Sequence, residues 1–179
     1  MLLTEQELSR RTVYNGLIVN VELHRALLPN GSTVPREVVT HPGGVAIIPI
    51  WDNGDVTVVT QYRYPFRREL LEVPAGKMER GEDPLDCARR ELSEETGLSA
   101  GEFISLGDML PSPGFCDECL HLYLARGLRP GAAHPDADEL LNVGRMPLAE
   151  LVERIMAGQV ADGKTIAAVF KAREWLAAE

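Results

Sequence analysis

The sequence is poor in cysteine, in positive charge and in long apolar runs, and each shortage excludes something. Its three cysteines, Cys87, Cys116 and Cys119, are an odd number, and the opening MLLTEQELSRR has too short an apolar stretch for a secretory signal. A disulfide framework is therefore not expected, and reduced thiols are. Cys116 and Cys119 form one C-x-x-C, but no second C-x-x-C or paired histidine follows to complete a zinc site. Lys and Arg number 18 against 27 Asp and Glu, a formal charge of -9. Such a surface repels nucleic acid and anionic membrane, so neither is expected as a partner, and a small anion needs a local basic pocket. The longest clean apolar run, VAIIPIW at 45 to 51, is far too short to span a bilayer. These absences predict a cytoplasmic protein. What is present, 179 residues of which 45% are hydrophobic and 25% charged, suits one globular domain with a small appendage.

The first forty residues read as β. Val19, Val21 and Leu23 alternate with Asn20, Glu22 and His24, Pro29-Asn30-Gly31 gives a turn, and TVPREVVTH returns as the second arm of a hairpin. VAIIPI is a near-continuous apolar strand, Asp52-Asn53-Gly54-Asp55 a hairpin turn, and VTVVTQYRY resumes the strand. Pro74-Ala75-Gly76 breaks the pattern before a helix over 84 to 96. Asp83 serves as its N-cap, Pro84 as its first residue and Gly97 as its terminator. Strands are expected around FISLGDML and CLHLYLARGL, a helix in PLAELVERIMAG, and a last helix over 164 to 178 that DGKT caps. Ile166, Val169, Phe170 and Leu176 of that helix are available for packing. The order predicts a mixed sheet covered by helices, α/β (α+β) in class.

The segment 76 to 98 concentrates carboxylates. Glu91, Glu94 and Glu95 stand at i, i+3 and i+4, so they share a helix face that borders Leu85, Ala88 and Leu92. Like charges so close need neutralising, and Arg89 and Arg90 are the local candidates. One reading is a solvated acidic face laced with i,i+4 ion pairs. The other is a metal site. Gly76 and Gly97 bracket the cluster, Pro74 fixes its entry, and Glu82 lies far enough upstream to reach back to Arg90. Hard divalent cations take oxygen ligands and share their shell with substrate phosphates.

Gly76, Glu82 and the run Arg90-Glu91-Leu92-Ser93-Glu94-Glu95-Thr96-Gly97-Leu98 resemble the Nudix box, with every fixed position filled. The resemblance implies a Nudix-type α/β/α sandwich and metal-dependent hydrolysis of a nucleoside diphosphate linked to another moiety. It implies that Glu91, Glu94, Glu95 and the carbonyl of Ala75 bind Mg²⁺ or Mn²⁺, that Arg90 orients the carboxylates, and that Glu82 pairs with Arg90. Bound metals of this kind stabilise charge on phosphoryl oxygens and activate water.

The flanks, LLEVPAGKME and PSPGFCDE, resemble the ADP-ribose pyrophosphatase subgroup. That likeness implies Glu118 as general base or extra metal contact, although Asp117 beside it leaves the assignment open, and a box glutamate such as Glu91 is the alternative base. It implies Arg63 on the diphosphate, Glu72 in the binding cleft and, from PREVVTH, Arg36 toward the nucleotide. It further implies a homodimer in which residues 1–42 are exchanged between subunits and 43–179 form the hydrolase domain. Tyr14, Tyr62 and Tyr64 are candidates to stack a base or to pack in the core. The implied substrate is ADP-ribose, with AMP and ribose 5-phosphate as products. Another nucleoside diphosphate sugar (ADP-glucose, GDP-mannose), a non-catalytic ADP-ribose or nucleotide sensor, and a plain acidic structural domain remain open.

Overall fold

A computed structural model describes residues 3–134 and 140–178. By its contacts the chain divides into two units, one running through Gly43 and including Leu110–Cys119, the other comprising Gly44–Met109 and the chain from Leu120 onward.

The N-terminal unit is an antiparallel sheet in the order β1 (Gln6–Asn15), β2 (Asn20–Leu27), β3 (Thr33–Thr40). The expected hairpin is β2 and β3. β1 precedes them without an apolar pattern, and every one of its residues is exposed. β2 does not alternate as its sequence suggests, being half-buried along most of its length. Segment 110–119 returns to this unit because Val39 donates to the Phe115 carbonyl at 2.7 Å and Asp117 donates to the Val39 carbonyl at 3.1 Å.

The larger unit holds two sheets. β4 (Gly44–Pro49), β7 (Ala75–Lys77), β8 (Leu98–Met109) and β9 (Leu120–Pro130) form a mixed sheet in the order β7-β4-β9-β8. β4 and β9 are parallel and the other pairs antiparallel. β5 (Asp55–Arg63), β6 (Arg68–Glu72) and β10 (Leu141–Pro147) form an antiparallel sheet in the order β10-β5-β6. The helices are α1 (Pro84–Thr96), α2 (Leu148–Met156) and α3 (Gly163–Ala177). Among the described residues no helix is long and apolar enough to cross a membrane.

β4 explains the layering. Its residues are buried on both faces, as its unbroken apolar run requires. With a period of two, Val45 and Ile47 face one way, into a cluster with Cys87, Ala88 and Leu92 of α1. Ala46 and Ile48 face the other, with Leu122 and Leu124 of β9, Leu151 and Ile155 of α2, and Ala168, Val169 and Ala172 of α3. Helices therefore cover both faces of the mixed sheet, the expected α/β/α sandwich. Each fully buried Leu or Ile contributes about 1.5–3 kcal/mol by leaving water.

α1 begins and ends where its residues dictate. The Asp83 carboxylate accepts from the backbone of Leu85 at 2.9 Å and Asp86 at 3.3 Å. Gly97 closes the helix with φ 68°, and its backbone N–H donates to the Ser93 carbonyl. The chain beyond β9 then packs on this end, with His134 donating to the Glu94 carbonyl at 2.9 Å. A Cβ at Gly97 would lie 2.7 Å from the Ala133 nitrogen and 2.8 Å from the Gly131 oxygen. G97A is expected to destabilise the protein by ~1–2 kcal/mol from the left-handed backbone alone, with a further loss from the contact. Urea denaturation reads this, and a change near zero would mean that the helix end relaxes freely.

Candidate functional site

Arg90 is the centre of the helix's polar face. Its Nε and Nη2 donate to the two oxygens of Glu82 at 2.8 and 3.0 Å. Its Nη1 donates to Glu91 at 2.7 Å and to Glu94 at 3.0 Å. Nη2 also reaches the Lys77 carbonyl at 3.1 Å and Cys87 Sγ at 3.3 Å. One guanidinium thus joins three carboxylates to the loop before the helix, a use of its planar fork that a lysine cannot copy. Arg89, the other local candidate for neutralising the cluster, points elsewhere: it pairs with Asp86 and lies over the Phe103 ring. Its position one residue earlier, about 100° round the helix, turns it away from the glutamates.

The electrostatics follow from these bonds. The Arg90 hydrogen bond, against a smaller cost of burial, holds the Glu82 carboxyl down at about 2. Arg90 is itself raised above its ordinary value, chiefly by Glu82. Burial pushes the Cys87 thiol up to about 12, so it is a packing group without thiolate reactivity at neutral pH.

Glu91 and Glu95 are 7% and 2% exposed, so the acidic face is not merely solvated. The Ala75 N–H donates to a Glu95 oxygen at 3.0 Å, which ties the helix to the turn before β7. Gly76 is required by proximity: a Cβ there would lie 1.9 to 2.2 Å from the Glu91 carboxylate atoms. β7 also sits tightly on β4, since a Cβ at Gly44 would be 2.5 Å from the Gly76 oxygen. The sequence therefore leaves the backbone bare where a buried carboxylate lies against it. Two buried carboxylates, the half-buried Glu94 and an adjoining backbone segment make an all-oxygen donor set, which fits a hard divalent cation.

A second polar group lies at the end of β6. Glu72 pairs across the sheet with Val59, which puts it on the same face as Arg63, four positions along β5. Its fully buried carboxylate receives Arg63 Nε at 2.7 Å and Nη2 at 2.6 Å, and also the Lys164 ammonium. The Glu72 bond raises the Arg63 pKa above its usual value. Lys164 donates as well to Asp162 at 3.0 Å. Asp162 caps α3 by accepting from the Thr165 backbone at 2.9 Å and hydroxyl at 2.6 Å, and Thr165 Oγ1 accepts from the Val73 backbone at 2.9 Å. DGKT is thus the helix cap its sequence suggests, but Lys164 and Thr165 also reach β6 and the residue after it. A buried glutamate inside the apolar LLEV was the one sign that distant cations were needed.

The structure therefore brings Ala75, Gly76, Glu82, Arg90, Glu91, Glu94 and Glu95 together, with Gly97 closing their helix, and it pairs Arg63 with Glu72. Arg36 and Glu118 belong to the N-terminal unit. Arg36 pairs with Glu5 through bonds of 2.9 and 2.7 Å. Glu118 lies 3.5 Å from His41 Nδ1, a neighbour the sequence did not suggest, while Asp117 accepts from the His41 backbone at 2.8 Å. Tyr14, Tyr62 and Tyr64 are all exposed, which removes the core-packing reading for them. Among the described residues no disulfide joins the three cysteines.

Comparison with known proteins agrees with this geometry. The family description NUDIX domain matches residues 40–169. The chain is 40% identical to the methanol dehydrogenase activator of Bacillus methanolicus, over 94% of this chain and 92% of that one. It is 36% identical to the ADP-ribose pyrophosphatase of Bacillus subtilis (strain 168), over 93% and 91% of the two chains. A solved structure titled as an ADP compounds hydrolase superposes with a TM-score of 0.88 at 25% identity, covering 99% of this chain and 97% of the other.

The depressed Glu82 carboxyl gives a pH window. A group whose pKa is lower folded than unfolded adds stability above its unfolded value, and that stability drains as the pH falls toward the folded one. The Glu82–Arg90 contribution is thus expected to be complete above pH 4.5 and to be lost between there and about 2. Stability measured for wild type and E82Q from pH 6 downward is expected to differ most at the top and to converge in acid. A constant difference would show that the pair's charge is immaterial.

Proposed function

The chain belongs to the Nudix family, and from that premise we propose that it hydrolyses the diphosphate of ADP-ribose to AMP and ribose 5-phosphate. The observation that carries the chemistry is the pair of buried carboxylates, Glu91 and Glu95, packed against Gly76 and bonded to Ala75. Glu91, Glu94, Glu95 and the Ala75 carbonyl would hold Mg²⁺, with Mn²⁺ as a substitute. Such an ion stabilises charge on phosphoryl oxygens and lowers the pKa of bound water. Arg90 orients the carboxylates, and Arg63 grips phosphate oxygens with its fork. Water adds to one phosphorus, the bridging P–O bond breaks, and Glu118 or a glutamate of α1 removes the water's proton. Glu72 and Arg36 complete the substrate contacts, and exposed Tyr62 and Tyr64 offer faces for a base.

The ADP-ribose reading draws on the relatives that carry that activity in their names and on the flanks of the box. The -9 charge, which disfavours anionic membrane and nucleic acid, goes with work in the cytoplasm.

The same reading makes the protein a homodimer that shares its N-terminal strands. Ala26 is the one buried hydrophobic residue of the N-terminal unit among those described, while Leu8, Val13, Tyr14, Leu17 and Ile18 are exposed. So small a core does not stabilise a sheet alone, and exposed apolar groups of this number mark an interaction surface. Light scattering on the purified protein is expected to give twice the chain mass, and L8E/V13E to give the monomer. A monomeric wild type would remove the dimer.

Product analysis after incubation with ADP-ribose, ADP-glucose and GDP-mannose, each with Mg²⁺ or chelator, tests the activity. AMP and ribose 5-phosphate are expected chiefly from ADP-ribose, only with metal, and at least ~100-fold less with E95Q. Preference for another sugar would keep the chemistry and replace the substrate. Binding without cleavage would favour a sensor.

A further inference from the structure

Lys164 has no part in the metal site, and capping α3 does not require it. Asp162 and Thr165 satisfy the helix end by themselves. Yet the Lys164 side chain is only 11% exposed and its ammonium lies on the fully buried Glu72. A buried lysine costs free energy that a surface residue at this position would avoid, so its placement calls for a reason.

The reason lies in what Arg63 must do. Resting on the diphosphate reading above, Arg63 has to turn from Glu72 to phosphate oxygens, and its side chain, 38% exposed, is the accessible member of the group. With one cation alone, that turn would strand a buried carboxylate, which is strongly unfavourable. Here Glu72 has two. Arg63 and Lys164 balance Glu72 and Asp162, and when Arg63 leaves, Lys164 stays between the two carboxylates. Lys164 is held for this by the cap itself, since Asp162 fixes the first turn of α3 and Thr165 bonds the backbone directly after Glu72.

We infer that Lys164 is a positioning residue for substrate binding, the standing counter-ion of Glu72 that frees Arg63 to grip a diphosphate. It acts through Arg63 and does not touch the reacting atoms. Its effect falls on binding more than on the chemical step, and it depends on the Glu72 charge.

The test is calorimetric binding of ADP-ribose in chelator, together with ¹⁵N NMR measurement of Arg63 Nε–H exchange, which needs no substrate. K164M is expected to weaken binding about 10-fold, to raise KM more than it lowers kcat, and to slow Arg63 exchange. K164R, which keeps a cation, should recover most of the loss. Adding E72Q to K164M removes the charge that traps Arg63, and Arg63 exchange should return to the wild-type rate, whatever the loss of the Glu72 substrate contact does to binding. Wild-type affinity in K164M, or slowed Arg63 exchange that E72Q does not restore, overturns the inference. If K164M does not fold, E72Q and E72Q/K164M are compared, and a large difference between them overturns it too. Wild-type protein that ignores ADP-ribose sinks the substrate assignment separately. Arg63 exchange then decides the ion-pair role, slower in K164M supporting it and unchanged overturning it.

Discussion

The turn from Glu72 to Gly76 is held from three sides, and the rest of the larger unit is arranged to hold it. Thr165 of α3 bonds the Val73 backbone, Ile47 of β4 donates to the Pro74 carbonyl at 2.8 Å, and Glu95 of α1 takes the Ala75 N–H. Each bond comes from a different layer of the sandwich. The chain here leaves one sheet and enters the other, so its backbone groups would be orphaned without these partners. Supplying them from α1, β4 and α3 fixes the turn with the precision of the core. The Glu91 carboxylate, packed over Gly76, inherits that rigidity.

The same turn concentrates negative charge in a place where charge is expensive. Glu72, Glu91 and Glu95 are all buried. Removing one partner of a buried ion pair typically costs about 3–5 kcal/mol, which is a large part of a domain's net stability. The structure meets this with two arginines used in different ways. Arg90 is spread over Glu82, Glu91 and Glu94 and is anchored to the Lys77 carbonyl, so no single carboxylate can pull it away. Among the described residues Arg63 hydrogen-bonds one carboxylate, Glu72, and that carboxylate has a second cation. The first arrangement gives one cation several carboxylates; the second gives one carboxylate two cations.

What the sequence made legible follows the range of the interactions. α1 could be bounded to the residue because its start and stop rest on Asp83, Pro84 and Gly97, all within the helix or next to it. The Glu82–Arg90 pair spans eight residues and was readable from spacing. β4 announced itself by an apolar run that only a strand buried on both faces would carry. By contrast β10 is largely exposed and β1 wholly so, and neither carries a periodic pattern to read. Lys164 meets Glu72 across 92 residues, so nothing near either one describes the contact. Arg89 shows the opposite failure: adjacency to the glutamates suggested a role that helix geometry refuses.

This difference in range separates the carboxylate helix from the Arg63 group. The carboxylate helix is a local object, capped at both ends by its own residues and packed on one strand, so its donor set would survive change elsewhere in the fold. Arg63, Glu72 and Lys164 come from β5, β6 and α3, and they meet only because the sheet and the last helix are complete. A single substitution in α3 can therefore alter how Arg63 presents itself without touching a carboxylate of α1. The presentation of Arg63 is thus adjustable at low risk to the carboxylate helix, and it is also the property that a short motif is least able to reveal.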